Sequence, residues 1–275
     1  SVVKHLSAIT IAFGLLILSA SGASAADNAT CSASNPLPPG TYGNVDALTG
    51  CVLNESHIIE GSLVLDGPAE VIGTHIAGDV AVFGGEFIDN VHIGGSLYLL
   101  GSFSKLTNSY IGGDIWGQLA SVGVEFHNNE VVGSVLLDAD GQETVHVVDN
   151  VIGGDLTILG FLSGGFTIDR NHVGGHFRLA DAAAWLLFTS TVNANHIGGR
   201  FEIRRTHSDG GAFEDGIPLP ILVSENVIQG HAGLFQNSEL QFLDNQIAGA
   251  LVCSHNDEFV HSGNSAHTRF GECTD

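Results

Sequence analysis

A glycine returns along this chain at Gly61, Gly78, Gly95, Gly113, Gly133, Gly154, Gly175, Gly199, Gly230 and Gly249, at intervals of mostly 17 to 24 residues. Its neighbours return with it. Two positions before it stand Ile59, Ile76, Ile93, Ile111, Val131, Ile152, Val173, Ile197, Ile228 and Ile247, all β-branched. Two positions after it stand Leu63, Val80, Leu97, Ile115, Val135, Leu156, Phe177, Phe201, Ala232 and Leu251. Seven before it, from the second copy on, come Val71, Ile88, Leu106, Phe126, Val147, Ile168, Val192, Val223 and Phe242. Apolar residues at a period of two, rich in β-branching, predict strands with one face buried. Each repeat is expected to hold two short strands separated by a corner.

One such repeat cannot bury its own apolar side, so copies must stack into a continuous core. The predicted fold is all-β: a single-domain parallel β-helix, or β-solenoid, of about ten coils over residues 56–252. Right-handed winding is expected from the general preference of parallel crossovers. The paired glycines argue against helical repeats, and a propeller blade needs about 40 residues. Four positions before the glycine, the last six copies carry Asn129, Asn150, Asn171, Asn195, Asn226 and Asn245. Asparagine tolerates left-handed backbone and bonds local amides, so these residues are expected to form the turn and to stack as a ladder. The first four copies have His57, Thr74, Val91 and Ser109 there.

The ends read differently. Lys4 and His5 precede an apolar run from Leu6 to Ala20, and Ala23, Ser24 and Ala25 supply the small residues of a cleavage site. Residues 1–25 are therefore expected to be a signal peptide, and the run is too short for a comfortable membrane span. A secreted protein follows, extracellular, at the cell surface or periplasmic, with no membrane insertion. Residues 26–55 and 253–275 are expected to cap the open ends, which otherwise expose unpaired strand edges. Four cysteines allow three connectivities. Stacked coils about 4.8 Å apart place the two ends beyond disulfide reach, so Cys31 should pair with Cys51 and Cys253 with Cys273.

The motif Asn-x-Ile-x-Gly-x-Leu-x-Ile, seen at Asn150 to Ile158, resembles the coils of exported bacterial β-solenoid repeat proteins of unknown function. More loosely it is similar to polymer-forming, bactofilin-like repeats. The stretch from Asn245 through Cys253 and Asn256, followed by Gly263, Asn264 and Cys273, looks like the terminal coil and cap of small secreted solenoids. The resemblance implies a structural or surface role and supplies no functional residues.

Eight lysines and arginines face 30 acidic residues, a net charge of −22, which excludes nucleic acid as a partner. Function is expected on outward positions. One after the glycine run Ser62, Asp79, Ser96, Asp114, Ser134, Asp155, His176, Arg200, His231 and Ala250, read as a solvated row whose alternation keeps like charges apart. Three after it, Val64, Ala81, Tyr98, Trp116 and Leu136 make an apolar stripe suited to a sugar ring or another protein. His75 with His92, and His172 with His196, fall on adjacent coils, but two ligands without a third do not make a zinc site. No metal or cofactor is expected.

Arg170, Arg178, Arg200, Arg204 and Arg205 gather near two interruptions of the repeat: Ala180 to Phe188, a potential amphipathic cover, and Thr206 to Pro220, a loop. Asp181, Glu202, Asp209, Glu214 and Asp215 lie beside them as salt-bridge partners. The closely spaced Asp-Asp, Gly-His-Gly and Arg-x-Lys signatures of polygalacturonases are missing, so no enzyme is expected. The candidate ligand-binding residues are Tyr98, Trp116, Arg178, Arg200, Arg204 and Arg205. The expected function is an exported structural, surface or adhesion module. Its partner would be a glycan or surface protein, with lateral self-association. The alternative is a carbohydrate-binding or polysaccharide-processing protein that uses the arginine region.

Overall fold

A computed structural model describes residues 26–274 apart from 86, 102–104, 119–122, 140–143, 161–163, 186–189 and 210–218. The expected signal peptide lies outside the described residues. The chain winds as a parallel β-solenoid. One coil consists of Val145–Val148 on a first side, Val151–Ile152 on a second and Leu156–Leu159 on a third. The first side is an 11-stranded parallel sheet, so there are eleven turns rather than ten. The other two sides merge into one 23-stranded sheet, because Gln246–Ser254 runs through both. Among the described residues, no helix is long and apolar enough to cross a membrane.

Every position expected to face inward is buried. The register stacks like on like: Val147 beside Ile168, Ile152 beside Val173, Leu156 beside Phe177. Three sides replace the expected two for a simple reason. The corner at the paired glycines turns without adding a residue, so inward and outward alternation passes straight through it and conceals the bend.

The segments expected as caps continue the winding. Gly40–Tyr42 and Val45–Leu48 pair in register with the second and third sides of the next coil. At the other end Val260–Ser262 pairs with the first side of the preceding coil, and Ser265–Gly271 pairs along its second and third sides with a register shift between Ile247 and Ala250. Disulfides join Cys31 to Cys51 and Cys253 to Cys273, with Cα atoms 5.4 and 5.5 Å apart. Each bridge closes one turn at one end, and a loop of that size gains about 3 kcal/mol over its open form. Such bonds are compatible with an extracellular or periplasmic protein.

The three corners use different chemistry. At the first, Asn129, Asn150, Asn171, Asn195, Asn226, Asn245 and Asn264 are buried and bonded coil to coil. Asn150 donates from both its backbone N and Nδ2 to Asn171 Oδ1, each at 3.0 Å. Asn171 repeats this to Asn195. The left-handed backbone sits one residue earlier than expected, at Asn128, Asp149, Arg170, Ala194, Glu225 and Asp244, with φ of 55 to 59°. The asparagine itself must point inward to reach the ladder, so the preceding residue takes the sharp bend.

At the second corner the reference glycine has no room for a side chain. A Cβ on Gly175 would lie 2.8 Å from the carbonyl carbon and oxygen of Gly154 and against Asp155 Oδ1. The row just after the glycine explains that crowding, and it is more than a solvated row. Asp79 Oδ1 accepts the Ser96 N–H at 2.8 Å, Asp114 Oδ1 that of Ser134 at 2.7 Å, Ser134 Oγ that of Asp155 at 3.0 Å, and Asp155 Oδ1 that of His176 at 2.6 Å. Serine and aspartate alternate within a set of short side chains that carry a lone pair, each capping an amide of the next coil.

The third corner absorbs the differences in repeat length, including both interruptions. Ala183–Trp185 and His207–Asp209 pair in parallel as a short fourth side, anchored where His207 N donates to Ala182 O at 3.0 Å. The start of the segment expected to be a loop is thus strand. The remaining interruption residues, 186–189 and 210–218, lie outside the described residues.

Toward the C-terminal end this corner has its own amide ladder. Thr206 N–H donates to Asn237 Oδ1 at 3.1 Å, and Asn237 Nδ2 to Asn256 Oδ1 at 2.9 Å. Glu272 then stands where the next asparagine would be. Its carboxylate accepts from Asn256 N at 2.9 Å, Asn256 Nδ2 at 3.1 Å and His255 N at 2.6 Å. The Asn256 backbone bond leads in holding this carboxyl below the usual glutamate value of 4.5, with burial opposing it. A carboxyl depressed in the folded state binds protons more readily once unfolded. Its contribution is therefore complete above the unfolded value and is lost as pH falls through the folded one. Protection against hydrogen exchange at the His255 and Asn256 amides, taken relative to the unprotected rate at each pH, should fall on acidification through that range. In Glu272→Gln the loss of protection should already be present at neutral pH and should no longer depend on acid. Unchanged protection in the variant would remove the capping role.

Candidate functional site

The outer face of the third side carries both the apolar stripe and the arginines expected from the sequence. The column three after the glycine runs along it in strict register. Tyr98 lies between Ala81 and Trp116, Trp116 is next to Leu136, then come Thr157, Arg178, Glu202 and Gly233. Val64, Tyr98, Trp116 and Leu136 are half-buried, whereas Ala81 is fully buried. The column two residues further on adds Phe83, which is exposed, and Leu100. Strands about 4.8 Å apart put Trp116 roughly 14 Å from Arg178, three coils away.

The arginines converge on one carboxylate. Glu202, with 16% of its side chain exposed, lies 2.9 Å from Arg200 Nη2 through Oε2. Its Oε1 lies 3.8 Å from both Arg178 Nε and Arg204 Nη1, within ion-pair range and beyond a hydrogen bond. Arg178 Nε is buried and has no hydrogen-bond partner. Phe235 joins the group: a Cβ on Gly233 would strike its ring and would lie 3.4 Å from Arg200 Nη2. Glycine in that strand leaves the space that ring and guanidinium occupy.

Arg205 is placed elsewhere. It lies at the third corner with φ of 50° and grips Asp181 with two bonds, of 2.5 and 2.6 Å. The guanidinium holds the Asp181 carboxyl below its usual range. Arg170 does the same with Asp149 at the first corner, through two bonds of 2.7 Å. Both arginines clamp consecutive coils. Of the six candidate residues, Arg178, Arg200 and Arg204 come together, Tyr98 and Trp116 share their face, and Arg205 is turned to a structural task.

No family model, curated protein or solved structure matches this chain. Its chemistry has to be read from its own residues.

Two histidines beside the cluster were not singled out by sequence. Arg200 N–H donates to His176 Nδ1, and Ala250 N–H to His231 Nδ1, both at 2.8 Å. An Nδ1 that accepts leaves the ring proton on Nε2, so each ring offers an N–H donor on its far side. The signal was present in the sequence: both stand in the row whose serines and aspartates accept the next coil's amide, and an imidazole that accepts there keeps a ring N–H on its far side. Glu202, expected as a salt-bridge partner of these arginines, is the carboxylate on which three of them converge; Phe235 was missed as a member of the cluster, because it does not stand out within its column.

The histidines that fall in pairs on adjacent coils stack. His75 and His92 have ring centroids 4.7 Å apart, His92 and Tyr110 4.6 Å, and His172 and His196 4.8 Å. Among the described residues no group of three or more His, Cys, Asp or Glu is placed to hold a metal ion. On the first side, Gly50, Val52, Pro68, Glu70, Gly85 and Phe87 line a depression of about 430 Å³.

Proposed function

We propose that this chain is an exported, non-catalytic β-solenoid that acts as a structural or adhesion module, with the outer face of its third side as the contact surface. One observation carries the reading. The side chains of Val64, Ala81, Tyr98, Trp116 and Leu136 form an in-register apolar run on the outer face of the third side, and past Thr157 the same column reaches the arginine cluster. A contiguous patch of this kind is what marks a partner surface, and Tyr and Trp dominate the energetics of such contacts. The disulfides fit an oxidising compartment. Labelled protein should sediment with cell-envelope preparations, and Tyr98→Ala with Trp116→Ala should weaken that retention tenfold or more while leaving thermal unfolding in place. That loss corresponds to about 1.4 kcal/mol or more. Retention untouched by the double variant would take the contact surface away from this face.

A further inference from the structure

We infer that Arg178, Arg200 and Arg204, with Phe235, form a binding site for a uronate unit of an anionic polysaccharide. The inference rests on the third side being the contact face and names the ligand chemistry of its arginine end.

Three guanidiniums surround one carboxylate, so the cluster keeps an excess of two positive charges within a chain of net −22. Glu202 forms its closest bond with Arg200. The forks of Arg178 and Arg204 stay 3.8 Å away, and a guanidinium fork is matched to a carboxylate by two parallel bonds. The two arginines sit on neighbouring coils, in adjacent outward columns of paired strands, so one carboxylate can bridge them above Glu202. His176 and His231 flank Arg200 on the coils to either side and turn Nε2 donors outward. Among the described residues of those coils on this face, Glu202 is the one acidic side chain. The ligand must therefore be an acceptor and carry negative charge.

Phe235 narrows the choice. It lies one coil beyond Arg204 in the same column, with its ring over Gly233 beside Arg200. Phosphate or sulfate alone has no use for that ring, whereas a pyranose presents an apolar face to it and a uronate carries the carboxylate on the same ring. Trp116 and Tyr98 lie farther along the rod on the same face, where further sugars of an extended chain would pass.

The test uses the whole disulfide-bonded protein in calorimetry with three probes: an oligogalacturonate, its methyl ester and poly-glutamate. The oligogalacturonate should bind, and the ester should bind at least tenfold more weakly. Arg178→Ala with Arg204→Ala should lower oligogalacturonate affinity tenfold or more without moving the unfolding midpoint. Arg204→Lys should recover only part of it, because the ammonium lacks the fork. Phe235→Ala should weaken oligogalacturonate binding and leave any poly-glutamate binding alone. Equal binding of acid and ester, binding indifferent to the arginine pair, or binding of poly-glutamate alone overturns the uronate site. The last outcome assigns the cluster to an acidic protein. Envelope retention that still depends on Tyr98 and Trp116 would show that the contact face survives the loss of this site.

Discussion

Asn171→Ala should lower the free energy of unfolding by roughly 2–4 kcal/mol, read from the shift of the urea midpoint. The side chain is buried in mid-ladder and fully engaged. Its Oδ1 accepts from Asn150 N and Nδ2, each at 3.0 Å, and its Nδ2 donates to Val147 O at 2.7 Å and to Asn195 Oδ1 at 3.0 Å. Alanine leaves the Asn150 N–H without its acceptor in a place water cannot reach, and that desolvation cost sets the magnitude. It also releases the bend at Arg170, whose left-handed φ of 55° is held by the bonds on either side of it. Asn171→Asp keeps the shape and the acceptor but loses the donors and buries a charge. It should cost at least as much at neutral pH and recover in part under acid, once the carboxyl can donate. Losses below 1 kcal/mol in both variants would mean that the ladder follows the fold and does not hold it.

The inward columns were legible because burial and alternation are written into residue type. Ile152 and Leu156 can be assigned without coordinates. The ladder was legible for the same reason, since an asparagine at a fixed place on every coil has few other uses. What sequence concealed was direction. Ile152 and Leu156 read as one strand because a bend at Gly154 costs no residue. Asn150 read as the left-handed residue because its type permits it, while the position was taken by Asp149, whose type permits it as well. The row from Ser62 to Asp155, with His176 and His231, looked like surface because aspartate and serine usually are; the property these residues share, a lone pair at short reach, appears only when the next coil's amide is in view. The arginine cluster was half legible. Composition brought five arginines into one region, but which of them turn to Glu202 and which clamp a corner depends on the column each occupies. Arg204 and Arg205 are chain neighbours, and alternation sends them to different tasks.

Phe201→Ala should cost about 3–5 kcal/mol, the range for deleting a fully buried phenylalanine ring. The ring stacks on Phe177 with centroids 4.9 Å apart and meets Phe242 at 6.2 Å. Ala232 follows Phe201 in register, and the smallness of its side chain lets Phe242 come that close. Neighbouring coils are tied through hydrogen-bonded strands, so the walls cannot collapse onto the void, which places the cost toward the upper end. The consequence reaches beyond the number. A solenoid is held by contacts between nearest neighbours, so a lesion at this coil weakens the coupling between the part of the rod before it and the part after it. Unfolding should broaden into two phases, with a lowered m-value for the first, and hydrogen exchange should rise across the coils next to Phe201 before it rises near Val80 or Leu97. A single sharp transition, merely displaced, would show that the coils cooperate over the whole length and that the nearest-neighbour account is too local. Ala232→Leu supplies the converse case. Added volume where Phe242 approaches should destabilise by about 1–3 kcal/mol, and combining it with Phe201→Ala should recover part of the loss by filling the same space. Strict additivity would mean that the two sites do not share a cavity.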